Sequence, residues 1–330
     1  MADLLPISVI VPTRNRPESF ENMRRSLAAQ AAQPQEMIVI DASDDDHTKT
    51  LCESQKADGL ATRIEWVRAA VAGAAKQRNQ GMKHASQDTI LFMDDDVLFE
   101  PECISRLWSS LNSDPRLGGV SSMIVNQKYQ STGAASRWLF RILHGRSESS
   151  YAGKCIGPAL NLLPEDHPAL PETVPVEWLN TTCSLYRKRA LPEPPFSRHF
   201  TGYSFMEDVA LSLEVGRNWK LANARTARIY HDSRTADYKN DQLALAKMQL
   251  VNRHFVMTHY LGRDRATDYF KLALLETFEL VTPLTSFKGW KALPARLLGK
   301  LRGMAAIIRN GGARAKAETV ADHRSELVSN

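Results

Sequence analysis

The sequence predicts an α/β protein: a mostly parallel central sheet flanked by helices, followed by a helical C-terminal extension. Three observations carry this. Short β-branched runs alternate with helix-patterned stretches from residue 7 to about 112, the order of a parallel sheet with crossover helices. Three of those runs end in polar stretches, at 12–16, 41–43 and 94–96. Beyond about residue 237 the strand pattern stops and helical spacing takes over.

Each element follows in order. ISVIVP reads as a buried strand ending at Pro12. RPESFENMRRSLAAQ reads as a helix: Pro17 suits its first turn, and Glu18 and Glu21 suit the positive end of its dipole. EMIVIDAS and TRIEWVR are the second and third strands, AGAAKQRNQGMKHAS a helix, TILFMD the fourth strand. PECISRLWSSLN is a helix opened by Pro101, and GGVSSMIVNQ is another strand. The Gly-, Ser- and Pro-rich stretch 127–174 predicts loops and short helices. VEWLNTTCSLYRKRAL predicts a strand running into a short helical turn. In FMEDVALSLEVGRNW, Val209, Leu211, Leu213 and Val215 alternate as in a strand, but the acidic start and the Gly216 stop favour a helix. KLANARTARIYH supplies one or two strands.

A core domain is thus expected over 1–235, with halves of about 1–125 and 126–235, and a helical extension over 236–330. At 330 residues, 43% hydrophobic and 24% charged, the chain has the composition of a soluble globular protein. The net charge of +5 is mild, and no nucleic-acid-binding motif accompanies it, so no nucleic-acid partner is expected. Cys52, Cys103, Cys155 and Cys183 form no CxxC pair, which argues against a zinc ribbon and a thioredoxin-like site and for a reducing compartment. MADLLPISVIVP lacks the marks of a signal peptide, and no apolar run reaches the roughly 20 residues a membrane span needs. A cytoplasmic location is expected, with peripheral contact at the inner face of the plasma membrane left open.

Asp94, Asp95 and Asp96 are the strongest functional signal. Adjacent carboxylates at the end of a buried strand repel one another and need compensation. In open α/β sheets ligands bind beyond the carboxyl ends of strands. Carboxylates suit a hard divalent cation, Mg²⁺ or Mn²⁺, with His231 at the end of ARIYH a candidate third ligand. Glu207 and Asp208 open a helix after FTGYSF, where one of them is placed to serve as a general base.

Together these stretches resemble family 2 glycosyltransferases, enzymes of the Rossmann-like GT-A fold. SVIVPTRNRPESF is similar to the family's first strand and loop, IVIDASDDDHT to its second strand, and AGAAKQRNQGMKHAS to its Gly, Arg-Asn, Gly helix. ILFMDDDV resembles the DxD motif, WLNTTCSLYRKRAL the strand to the acceptor site, and MEDVALSLEVGRNWKL the catalytic Glu-Asp segment. The resemblance spans about residues 5–235. It implies an inverting transfer from a nucleoside-diphosphate sugar to a hydroxyl, in the manner of bacterial polysaccharide or cell-envelope glycan synthesis, with a glycan or lipid-linked acceptor. By motif, Pro12, Thr13, Arg14, Arg16, Asp41, Ser43, Arg78, Asp94 and Asp95 would bind the nucleotide sugar. Asp41 would accept from the base and Asp95 would touch the ribose. Asp96, Asp94 and His231 would hold the metal, Asp208 with Glu207 would be catalytic, and Trp178, Asn180 and Thr181 would line the acceptor pocket.

The match has departures. DASDDD replaces the commoner Asp-Asp-Gly-Ser form, WLNTTC is less glycine-rich than usual, and no QxxRW motif follows the acid pair, which favours single addition over processive synthesis. A haloacid-dehalogenase-like phosphatase using Asp94 and Asp96 is the rival, but its motif belongs on the first strand of its domain and here falls on the fourth. A catalytically degenerate nucleotide binder is the non-enzymatic alternative. In the extension, residues 286–310 carry Lys288, Lys291, Arg296, Lys300, Arg302 and Arg309 with Leu293, Leu297, Leu301, Met304 and Ile308 at helical spacing. This is the pattern of a basic amphipathic helix suited to a membrane surface, to packing on the domain, or to a dimer. Residues 311–330 are expected to be a flexible tail. The sugar, the nucleotide and the acceptor are not legible in the sequence.

Overall fold

The computed structural model describes residues 2–54, 59–127, 129, 133–233 and 241–328, with side chains described as far as residue 309. The chain divides into two compact units, Met1–Arg234 and Thr235–Asn330.

The first unit begins with β1 (Asp3–Thr13), α1 (Pro17–Ala28), β2 (Ala32–Asp41), α2 (His47–Glu53), β3 (Arg63–Arg68) and α3 (Ala74–Gly81). Then come β4 (Thr89–Met93), β5 (Val97–Phe99), α4 (Cys103–Asn112) and β6 (Leu117–Ile124). It continues with α5 (Ala134–His144), β7 (Cys155–Ile156), β8 (Leu160–Asn161), β9 (Thr173–Val176), β10 (Cys183–Arg187), α6 (Glu207–Val215) and β11 (Lys220–His231). Nine strands form one sheet in the order β3-β2-β1-β4-β10-β6-β11-β5, with β9 beside β11. Strands β3, β2, β1 and β4 run parallel, as do β6 and β11, while β10 is antiparallel to both its neighbours.

A parallel sheet covered on both faces needs strands that are apolar throughout. Strand β4 is buried along its whole length and β1 from Ile7 onward. Phe20, Met23 and Leu27 of α1, with Ile104, Leu107 and Leu111 of α4, close over Val9, Val11, Leu91 and Met93. Each such side chain contributes about 1.5–3 kcal/mol by leaving water.

Four elements depart from the sequence reading. Strand β10 starts only at Cys183, where its ladder with β4 begins opposite Met93, so Trp178, Asn180 and Thr181 lie in a loop. The loop's groups bond locally instead: Leu179 N donates to Ser212 Oγ at 2.9 Å, and Ser184 Oγ donates to the Asn180 carbonyl. Stretch 127–174 contains strands as well as α5, because Thr173–Val176 finds an edge on β11. Strand β5 follows the three aspartates at once, recruited by antiparallel pairing of Phe99 with Ile229. The polar α2 carries too little apolar periodicity to be read as a helix.

The second unit is helical: α7 (Gln242–Phe255) running into a π turn at Val256–Tyr260, α8 (Ala266–Val281), and α9 (Phe287–Val328). Leu250, Met257 and Leu272 form its core with Ile307. Beside them Arg253 pairs with Glu276 and, at 2.7 Å, with Glu279, while Lys300 pairs with Glu276. Helix α9 runs on as far as Val328, through a stretch whose Ala, Arg, Lys and Glu residues have high helix propensity.

Candidate active site

The site grows from strand ends. In the β1–β2 ladder Thr13 stands opposite Asp41, and β4 hands directly into Asp94. The Asp94 amide donates to the Thr182 carbonyl at 3.0 Å, tying the acidic turn to the loop before β10. Thr13 Oγ1 donates to Asp95 Oδ2 at 2.7 Å. Arg16 Nη1 bridges Asp95 Oδ1 at 3.1 Å and Asp96 Oδ2 at 2.9 Å. His231, placed opposite Val97 by the β11–β5 ladder, brings Nε2 to 3.1 Å from Asp96 Oδ1. Residues far apart in sequence thus meet because the sheet aligns their strand ends.

A second chain of contacts leads from Asp94 to the acid pair. Arg78 on α3 donates to Asp94 Oδ1 at 2.6 Å and to Glu207 Oε1 at 3.2 Å. Its guanidinium is buried, with the Phe196 ring centroid 5.7 Å from Cζ. A buried arginine is tolerated when carboxylates flank it, and removing either partner leaves charge uncompensated. Glu207 and Asp208 open α6 just after Met206, whose φ of 73° turns the chain sharply into the helix. Ser212 Oγ on α6 accepts from Leu179 N and donates to the Asp208 carbonyl at 2.7 Å, so the acid helix and the 178–182 loop are joined.

The two groups of acids have different electrostatics. Burial, then the Asp96 charge, push Asp95 up to about 7 against the pull of Arg16 and Thr13. Burial also opposes ionisation of Asp96, yet the hydrogen bond and charge of His231, with Arg16, hold it below the ordinary carboxylate value. Burial and the adjacent Asp208 raise Glu207 well above its usual value, with Arg78 opposing. Burial raises Asp208 to about 6, against the Val209 amide and Arg78.

Asp94, Asp96 and His231 each bring one ligand atom within 4.8 Å of the others. Asp96 Oδ1 is buried and faces His231 Nε2 at 3.1 Å. Two carboxylates and one imidazole in this arrangement fit a divalent cation such as Mn²⁺ or Mg²⁺.

The other expected residues fall differently. Asp41 is fully buried, its Oδ1 accepting from the Ser43 amide at 2.8 Å and its Oδ2 from Trp66 Nε1 at 3.0 Å. Ser43 Oγ accepts from the Asn15 amide at 2.8 Å, which pins the first loop to the second. Pro12 stays within β1 opposite Ile40. Arg14 is exposed, 3.9 Å from Asp44. Arg78, one of the residues expected to bind the nucleotide sugar, spans Asp94 and Glu207. The residue of α3 that reaches the first two strands is Gln77, whose Nε2 donates to the Thr13 and Ile40 carbonyls at 3.0 and 2.7 Å. Trp178, Asn180 and Thr181 are all buried. The Trp178 indole donates to the Leu162 carbonyl at 2.8 Å, and Asn180 Oδ1 lacks a partner among the described residues. Gln77, Asn15, Trp66 and Ser212 escaped the sequence reading. The available signals were that Gln77 sits beside Arg78 and that Asn15 lies in the polar stretch 12–16.

Comparison with known proteins agrees with this geometry. Residues 8–157 match the profile of the family described as Glycosyl transferase family 2. Over 102 residues, 30% of the chain, it is 34% identical to the "Uncharacterized glycosyltransferase YfnE" of Bacillus subtilis (strain 168), and the match spans only 25% of that relative's length. A mannosyltransferase from Pyrobaculum calidifontis, solved with GDP-Man and Mn²⁺, superposes with a TM-score of 0.51 at 15% identity, covering 94% of this chain and 80% of that one. S. aureus TarS 1-349 with UDP-GlcNAc gives 0.52 at 17% identity, covering 89% of this chain and 81% of that one. At such identities the solved structures establish fold alone, and the fold they share with this chain is GT-A. Residues 8–157 are therefore similar to the family 2 glycosyltransferases, and the chain has the GT-A fold, its sheet followed in sequence by C-terminal helices.

Proposed function

We propose that this protein is a metal-dependent inverting glycosyltransferase that moves a sugar from a nucleoside diphosphate to a hydroxyl acceptor. The observation that supports it most is the single constellation at the strand ends: the Asp94, Asp96 and His231 cluster linked by Arg78 to Glu207 and Asp208.

Asp94, Asp96 and His231 would hold a divalent cation, which supplies neutralisation of the charge that develops on the leaving diphosphate. Pro12, Thr13, Arg14, Arg16, Asp41, Ser43, Arg78, Asp94 and Asp95 shape the donor side. Arg16 also brings a cation to where the phosphates must lie. On the acceptor side, a hydroxyl is a poor nucleophile until its proton is taken. Asp208 is suited to taking it, because it is partly accessible and a pKa near 6 leaves it ionised at neutral pH. Glu207, paired with Arg78, positions the segment. The acceptor oxygen bonds to the anomeric carbon as the carbon–oxygen bond to the diphosphate breaks. Asp208 takes the proton, and the diphosphate leaves with the electron pair. Trp178, Asn180 and Thr181 flank the acceptor side, reached through the Ser212 link. A glycan or lipid-linked acceptor at the cytoplasmic face of the cell envelope accords with this chemistry. The phosphatase reading loses support because Asp94, its nucleophile, is held in an ion pair by buried Arg78.

A thermal-shift screen of UDP-, dTDP- and GDP-sugars with Mn²⁺ or EDTA tests the proposal on the wild type and Asp96→Ala. A ligand at a hundred times its Kd stabilises by about 2.7 kcal/mol. The expected result is a rise in melting temperature from one nucleotide class that requires both the metal and Asp96. No shift with any donor would contradict it.

A further inference from the structure

Helix α9 is turned the wrong way for an ordinary amphipathic helix. Such helices bury their apolar stripe against the protein. Here Phe287 (75% exposed), Trp290, Leu297, Leu301, Met304 and Ile308 (73% exposed) all face solvent. At about 100° per residue they fall in a single stripe roughly 100° wide. The opposite face carries glycines. A Cβ on Gly299 would meet the Leu243 carbonyl oxygen at 2.4 Å, and one on Gly303 would lie 3.1 Å from Leu250 Cδ2. The glycines let α9 lie against α7 backbone to backbone, and this close packing is what holds the large side chains outside. A contiguous apolar stripe left in water marks an interaction surface.

Charge identifies what it meets. Lys291, Arg302 and Arg309 run along one edge of the stripe, and residues 286–309 contain no carboxylate. Lys291 Nζ lies 5.0 Å from the Phe287 ring centroid, so the basic edge and the apolar stripe form one surface. We infer that this face docks onto an anionic lipid bilayer, with the stripe at the headgroup–acyl boundary and the basic edge against lipid phosphates. No helix among the described residues is long and apolar enough to cross a membrane, so the contact is peripheral. A second copy of the chain fits less well, since its own copy of this face offers the basic edge no carboxylate to meet. Docking needs neither donor nor cation, so it stands apart from the catalytic reading.

The test is co-sedimentation of the full chain with phosphatidylcholine vesicles, with and without phosphatidylserine, alongside light scattering of the free protein. Wild type should bind the anionic vesicles and bind the neutral ones far more weakly. Replacing Lys291, Arg302 and Arg309 together by Gln should weaken anionic binding on the order of a hundredfold. Leu301→Glu with Ile308→Glu should abolish binding while leaving the circular dichroism and melting temperature unchanged, since both side chains point outward. Wild type that binds neither vesicle, or a triple-Gln variant that binds as well as wild type, overturns the inference. So does a dimer that the Glu variants convert to monomer, which would give the face to a second copy. A donor-induced thermal shift persisting through any of these results would show that the catalytic reading stands separately.

Discussion

Among the buried clusters of charged side chains in the described residues, two are built on opposite plans. In the second unit Arg253 and Lys300 face Glu276 and Glu279, two cations for two carboxylates. At the strand ends of the first unit Asp94, Asp95, Asp96, Glu207 and Asp208 face two guanidiniums, Arg16 and Arg78, with His231 alongside. The balanced cluster is closed: each ion has a partner, and nothing more is required of it. The unbalanced cluster has more carboxylates than guanidiniums. The excess shows in raised pKa values, with Asp95 pushed up to about 7, Asp208 to about 6, and Glu207 well above its usual value. An excess of buried negative charge is what a site awaiting a cationic ligand looks like, and a neutral cluster of similar depth is a structural fastener.

Either cluster can be perturbed alone. The largest stability effect should come from the balanced one. Arg253→Met leaves Lys300 alone to face Glu276 and Glu279, and losing one partner of a buried pair costs on the order of 3–5 kcal/mol. Urea unfolding followed by circular dichroism reads this directly, and an unchanged midpoint would mean that the cluster is not what fastens the helices.

The next effect is in pH. As the proposed base, Asp208 would have to be ionised to accept a proton, and its pKa is raised to about 6. The rate constant kcat/KM should therefore fall about tenfold per pH unit below about 6 and level off above it. Stability follows the opposite sense. A carboxylate raised from 3.8 to about 6 favours the folded state below about pH 4, and this contribution is lost as the pH rises through 6. Relative to Asp208→Asn, wild type should therefore lose stability between about pH 4 and 7.

Glu207→Gln should have the smallest effect on stability, below about 1 kcal/mol. Burial and the adjacent Asp208 already raise the Glu207 carboxyl well above its usual value, and the amide oxygen can still accept from Arg78. A loss as large as that of Arg253→Met would erase the distinction between the clusters.

Much of this was legible in the sequence, for a physical reason. The strand ends are local: an apolar run stopping at Thr13, Asp41 or Met93 shows where the sheet's carboxyl edge lies, and parallel topology brings those ends together. The acid pair was legible because Gly216 and the acidic start mark the bounds of α6. What was not legible depends on distance in sequence. The resemblance singles out Arg78, but only the fold sets it between Asp94 and Glu207, 16 and 129 positions away. The 178–182 loop has the composition of a strand, and only the ladder starting at Cys183 shows that it is not one. Periodicity alone makes α9 amphipathic, but which face it buries is decided by Gly299 and Gly303 against α7, a tertiary contact that periodicity cannot carry.

On this reading Asp208 takes the acceptor proton in a site whose donor half is built separately, from Asp94, Asp96 and His231. The most direct test of that division measures sugar transfer and donor affinity on the same preparations of wild type and Asp208→Asn. If Asp208 is the base, kcat falls on the order of a hundred- to ten-thousandfold with donor Kd unchanged. A variant that turns over at the wild-type rate, or that loses donor binding along with activity, would contradict it.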